Sequence, residues 1–150
     1  MNHNFSLVKL REIQNHHFDS TIWNDINFRD DDIVISTYAK SGTTWVQQII
    51  AQLLFNGAEG MEVAEMSPWL DLRIPPKEVK LPIVEAQTHR RFLKTHLPVD
   101  TLVFSEKAKY IYIGRDGRDV LWSMYGPRPG SKGLPRGYFV GFAFKSETPQ

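Results

Sequence analysis

The chain has 150 residues, 41% hydrophobic and 23% charged, enough for one modest globular domain. A formal net charge of +1 gives no global field to draw nucleic acid or a membrane surface, and the absence of cysteine excludes disulfides and thiolate chemistry. No apolar run matches a signal peptide or a bilayer span, so the default expectation is a soluble cytoplasmic protein.

Residues 1–20 read as a polar lead-in. His3, His16 and His17 are expected to be solvated, because a metal site needs more convergent ligands than they offer. Trp23 to Phe28 reads as a short extended piece, and Asp30-Asp31-Asp32 as a turn with solvated charges. Residues 33–38 are apolar and β-branched without alternation, which predicts a strand buried on both faces. Residues 44–56 predict a helix, and Asn56-Gly57 supplies its stop.

The turn between that strand and helix carries Lys40 and the hydroxyls of Ser41, Thr43 and Thr44. Strand, tight loop and helix N-terminus in that order make an anion site. The N–H groups of the first helical turn lack intrahelical partners, and the helix dipole adds positive potential. Lys40 precedes Gly42, so this is not a Walker A loop, which places its lysine after the last glycine. A G-x-G-x-x-G dinucleotide fingerprint is absent too. The plain alternative is an ordinary strand-to-helix turn with Thr43 or Thr44 as a hydroxyl N-cap.

Residues 58–88 are broken by Pro68, Pro75, Pro76 and Pro82. Ser67 to Asp71 reads as a loop packed by Trp69, and residues 77–88 hold a short helix. Residues 90–95 predict a short strand. Lys94 and His96, two apart on an extended chain, point to one side. A histidine can be neutral and basic near pH 7, so His96 is a candidate base; the alternative is a structural hydrogen bond. Residues 109–114 predict another buried strand, with Arg115 where it ends, the edge at which open α/β sheets bind ligands. A helix runs from Asp116 to Tyr125, and two turns on from Arg115 it brings Ser123 to the same edge. An arginine fork and a hydroxyl suit a phosphate, whereas the alternative pairs Arg115 with Asp116 or Asp119. Strands alternating with helices predict an α/β fold, a parallel sheet flanked by helices. From Gly126 to Gly137, glycine and proline predict an irregular tail, with Tyr138 to Phe144 adding a short strand or apolar patch.

Together these segments resemble the PAPS-dependent cytosolic-type sulfotransferases (PAPS is 3′-phosphoadenosine 5′-phosphosulfate). TYAKSGTTW, Thr37 to Trp45, is similar to the family's 5′-phosphosulfate loop and departs only at Ala39, where proline is usual. KTHLP, Lys94 to Pro98, resembles its catalytic segment, and the strand followed by Arg115…Ser123 resembles its 3′-phosphate motif. Ser67 to Asp71 resembles a segment near the acceptor pocket.

The resemblance implies a P-loop-like fold, incomplete at its C-terminus: residues 1–125 as the N-terminal part of a PAPS-binding domain and 126–150 as the tail. It implies that Lys40, Ser41, Gly42, Thr43 and Thr44 wrap the 5′ end of PAPS, that Trp45 packs on adenine, and that Arg115 and Ser123 hold the 3′-phosphate. Trp45 as a core aromatic is compatible with that reading. The implied catalytic groups are His96 as general base with Lys40 and Lys94, and Ser123 also restrains Lys40. Arg118 and Asp119 are structural. The implied reaction moves a sulfuryl group to a hydroxyl or amine of a small-molecule acceptor and leaves 3′,5′-ADP. No metal, nucleic acid or membrane partner is expected. The resemblance covers residues 20–125, and the family's later motif that closes over the nucleotide has no visible counterpart. The alternative is therefore a truncated, non-catalytic nucleotide-binding fragment or a phosphate-binding interaction module.

Overall fold

The computed structural model describes residues 7–125. Three parallel strands form one sheet in the order β2-β1-β3: β1 (Asp32–Thr37), β2 (Phe92–Thr95) and β3 (Ala108–Ile113). The register sets Ser36 beside Thr95 and Thr37 beside Ile113, so all three carboxyl ends meet at one edge. The helices are α1 (Thr43–Leu54), α2 (Val63–Met66), α3 (Lys77–Glu85) and α4 (Gly117–Tyr125).

All six residues of β1 are buried. Ile33 and Ile35 pack with Val46, Ile50 and Ala51 of α1 and with Phe92 and Ile113. Val34 faces the other way, into a cluster with Trp23, Leu70, Val84, Leu93 and Leu97. A strand covered on both faces needs an unbroken apolar run, and that is the pattern its sequence carries. The α/β architecture expected from the sequence is the one found. Element ends lie within three residues of expectation, and the start of α3 and the ends of β2 and α4 coincide with it.

Helix α1 stops as its sequence predicts. Asn56 takes φ +52 and Gly57 φ +77. The Gly57 N–H returns to the Gln52 carbonyl at 2.9 Å, the six-to-one bond of a Schellman motif.

Two expectations are corrected. Trp23 to Asp25 are not extended, because residues Ser20–Asp25 form a 3-10 helix; Ile26 just beyond it is extended. The Asp19 side chain caps the helix by accepting from the Thr21 N–H at 3.0 Å. Asp32 is not a solvated turn charge. It is buried in β1 and accepts from Arg91 Nε at 2.9 Å, while a second oxygen pairs with Arg91 Nη2. This bidentate pair sits at the amino end of the strands, away from the edge where the motifs gather. His16 and His17 are exposed, as expected. His3 and the tail expected over 126–150 lie outside the described residues.

Candidate functional site

The phosphate-type loop lies directly after β1. Gly42 caps α1 with φ +95, a left-handed conformation that an L side chain resists, and a Cβ there would meet no atom within 4 Å. No side chain caps the helix. The hydroxyl cap considered for Thr43 or Thr44 is not formed. Thr43 Oγ1 instead bonds Thr37 Oγ1 at 2.5 Å, and Thr44 is exposed. The first-turn N–H groups therefore carry no side-chain cap. Ser41 is 3% exposed, yet its hydroxyl has no hydrogen-bond partner among the described residues. A buried hydroxyl without a partner costs free energy unless a ligand takes it up. Lys40 is exposed beside it with φ +62. These features fit an anionic phosphate or sulfuryl end. Trp45 is 74% exposed, so it is not a core aromatic.

His96 follows the last residue of β2. Its Nδ1 lies 2.7 Å from the Thr37 carbonyl oxygen and 3.2 Å from Thr37 Oγ1. A carbonyl only accepts, so Nδ1 carries the proton and Nε2 keeps its lone pair. Burial pushes the His96 pKa below its ordinary value; the Thr37 carbonyl draws it up, the Lys94 ammonium pushes it down, and Asp71 draws it up. Lys94 also has its pKa lowered by burial, with Asp71 opposing. The two meet at Trp69. Its ring stands edge-on to His96, centroids 4.6 Å apart at 79°, and Lys94 Nζ lies 4.9 Å from a Trp69 ring centroid.

Arg115 joins the same edge from β3. Its Nη1 donates to the Lys40 carbonyl at 2.6 Å, which ties it to the loop. Asp116 pairs with Arg118 at 3.0 Å, and that hydrogen bond holds the Asp116 pKa down at about 2. Arg118 thus makes a local pairing near the start of α4. Ser123 is half-buried on α4, and no hydrogen bond links it to the loop among the described residues. The structure gathers Lys40, Ser41, Gly42, Thr43, Thr44, Lys94, His96 and Arg115 at one sheet edge, with Ser123 two helical turns along α4.

Three residues of the site escaped sequence reasoning. Thr37 was read only as part of the loop string, yet its carbonyl and hydroxyl both reach His96. Asp71 is fully buried and accepts from the indole N–H groups of Trp69 at 2.8 Å and Trp23 at 3.2 Å. Gln47 on α1 is buried and donates to the Ser67 carbonyl at 2.8 Å, which locks the helix to the Ser67–Asp71 segment. The sequence signal was an acid inside an otherwise apolar stretch and an amide on the inward face of a helix.

A family model described as "Sulfotransferase domain" matches residues 30–140, past Tyr125 where the motif resemblance stops. A glycolipid sulfotransferase of Mycobacterium tuberculosis is 44% identical over 107 residues, 71% of this chain and 33% of that protein. Human sulfotransferase 2B1 is 39% identical over 109 residues, 68% of this chain and 28% of that one. The chain thus spans about a third of the length of these relatives. Among solved structures, mouse sulfotransferase SULT7A1 complexed with PAP aligns with TM-score 0.55 at 25% identity, covering 76% of this chain and 42% of that one.

Proposed function

Since the chain belongs to the sulfotransferase family, we propose that it binds PAPS and transfers the sulfuryl group to a hydroxyl or amine of a small-molecule acceptor. The observation that carries this reading is the pairing of His96 with Thr37. The residue that opens the phosphate-type loop also fixes the imidazole, so anion site and base are one construction.

PAPS, when bound, supplies the sulfuryl group and departs as 3′,5′-ADP. The chain's own groups do the rest. Ser41, Thr43, Thr44 and the uncapped N–H groups of α1 hold the 5′ end, Gly42 lets the backbone approach, and the exposed Trp45 offers a face to the adenine. Arg115 and Ser123 hold the 3′-phosphate. His96 Nε2 takes the acceptor proton, help that is typically worth about 10²–10⁴ in rate. Lys40 and Lys94 are fixed positive charges, Lys40 for the oxygen that leaves and Lys94 for the sulfuryl oxygens.

The name of the 44%-identical relative makes a glycolipid hydroxyl the first acceptor to try. The test incubates the chain with PAPS and a panel of glycolipids, phenols, alcohols and amines. The expected result is sulfated acceptor and 3′,5′-ADP in equal amounts. Nucleotide bound without turnover on any acceptor would leave a nucleotide-binding module in place of an enzyme.

A further inference from the structure

A carboxylate lies beneath the reacting edge that the mechanism above does not use. Asp71 is fully buried. Its Oδ1 accepts from Trp23 Nε1 at 3.2 Å, and its Oδ2 from Trp69 Nε1 at 2.8 Å and the His96 N–H at 3.4 Å. Its carbonyl accepts from the Asp19 N–H at 2.9 Å. A buried carboxylate is costly unless charge and hydrogen bonds compensate it. Here the compensation comes from those N–H groups and from two nearby ammonium groups, Lys94 on β2 and Lys80 on α3. Neither makes a direct ion pair with it among the described residues. Lys80 spends its own protons on the backbone of the same segment, donating to the carbonyls of Trp69 at 3.2 Å, Leu70 at 2.9 Å and Leu72.

We propose that Asp71 is a positioning residue for the transfer: its buried carboxylate fixes the Trp69 indole between Lys94 and His96 and supplies the negative charge beside which both groups work. The inference rests on the assignment of Lys94 and His96 as reacting groups. Trp69 touches both, and its N–H bond to Asp71 sets the rotation of the ring. Burial alone drives both pKa values down, and Asp71 draws both back up. The carboxylate thereby keeps Lys94 charged at higher pH.

The groups that face His96 are few. Among the described residues, Lys94 from β2 and Asp71 carry charge, while β1 presents the uncharged hydroxyl of Thr37, itself bonded to Thr43 of α1. Lys80 faces Asp71 from α3, and Lys40 stands exposed on the loop. Removing the Asp71 charge must therefore move the His96 pKa further down. A site that merely loosened would admit water and move it up, toward the ordinary value.

The experiment is an NMR titration of the histidine rings in the nucleotide-free full chain, wild type against Asp71→Asn. The exposed His16 and His17 serve as internal references. The His96 pKa is expected to fall by at least about half a pH unit with the references unmoved. An unchanged or raised value overturns the inference. Should Asp71→Asn not fold, the double variant Trp23→Phe/Asp71→Asn removes the indole donor the amide would face, and the same fall is required of it. The titration needs no turnover, so it is decided apart from the enzyme reading. A wild type that transfers no sulfuryl group would remove that reading and leave the charge coupling to the titration.

Discussion

The imidazole of His96 gives its Nδ1 proton to a carbonyl that can only accept, and this leaves Nε2 with its lone pair. Its pKa is lowered, first by burial, so the sign of the pH dependence is fixed. The neutral form is the proposed base, and it disappears as pH falls through the folded pKa. The acid limb of the transfer rate should therefore lie below the ordinary histidine value of about 6.5. Lys94 is lowered as well, and the limb on which it loses its proton should lie below about 10.4. A pH–rate profile between these bounds is the measurement. An acid limb above the ordinary value would mean that some other group is the base. The candidate status of His96 was legible in the sequence because a lysine two residues before it shares its side of an extended chain. The partner that fixes its tautomer was not, because that contact is made by a backbone atom 59 positions away.

Among the elements, β1 shows what a sequence can and cannot reveal. Its apolar, β-branched run announced a strand covered on both faces. The charge at its start was misread because a run of three acids looks solvated, and nothing local tells that Arg91 arrives from just before β2 to pair with Asp32. In the same way Trp23 to Asp25 looked extended until the Asp19 cap turned the chain into a 3-10 helix. The Asp32–Arg91 pair is fully buried. Asp32→Ala leaves the buried guanidinium only Glu85 and the Asn27 carbonyl and is expected to cost about 3 kcal/mol, the low end for a broken buried pair. Chemical denaturation measures this, and a loss below about 1 kcal/mol, the scale of an exposed pair, would show that the pair is solvated after all. Because the pair sits at the amino end of the sheet, 3′,5′-ADP affinity of the folded variant should not change.

On the scale of the whole molecule, two apolar clusters press on opposite faces of three parallel strands. Each motif that pointed to PAPS in the sequence begins where a strand ends, at the one edge where carboxyl ends meet, and only Ser123 is carried further, onto α4. The order of motifs along the chain thus becomes proximity through topology, and for that reason loop, base and arginine were legible while Asp71, set between layers, was not. In the proposed transfer, one loop serves both anion binding and the base. The most direct test compares wild type with His96→Ala in two readouts: the rise in melting temperature with 3′,5′-ADP, and sulfuryl transfer from PAPS. A ligand that binds only the folded state stabilises it by about 2.7 kcal/mol at a hundredfold excess over Kd. The thermal shift is expected to be the same in both proteins, and transfer to fall by about 10² or more in the variant. Equal loss of nucleotide binding and transfer, or transfer that survives the substitution, would contradict this reading.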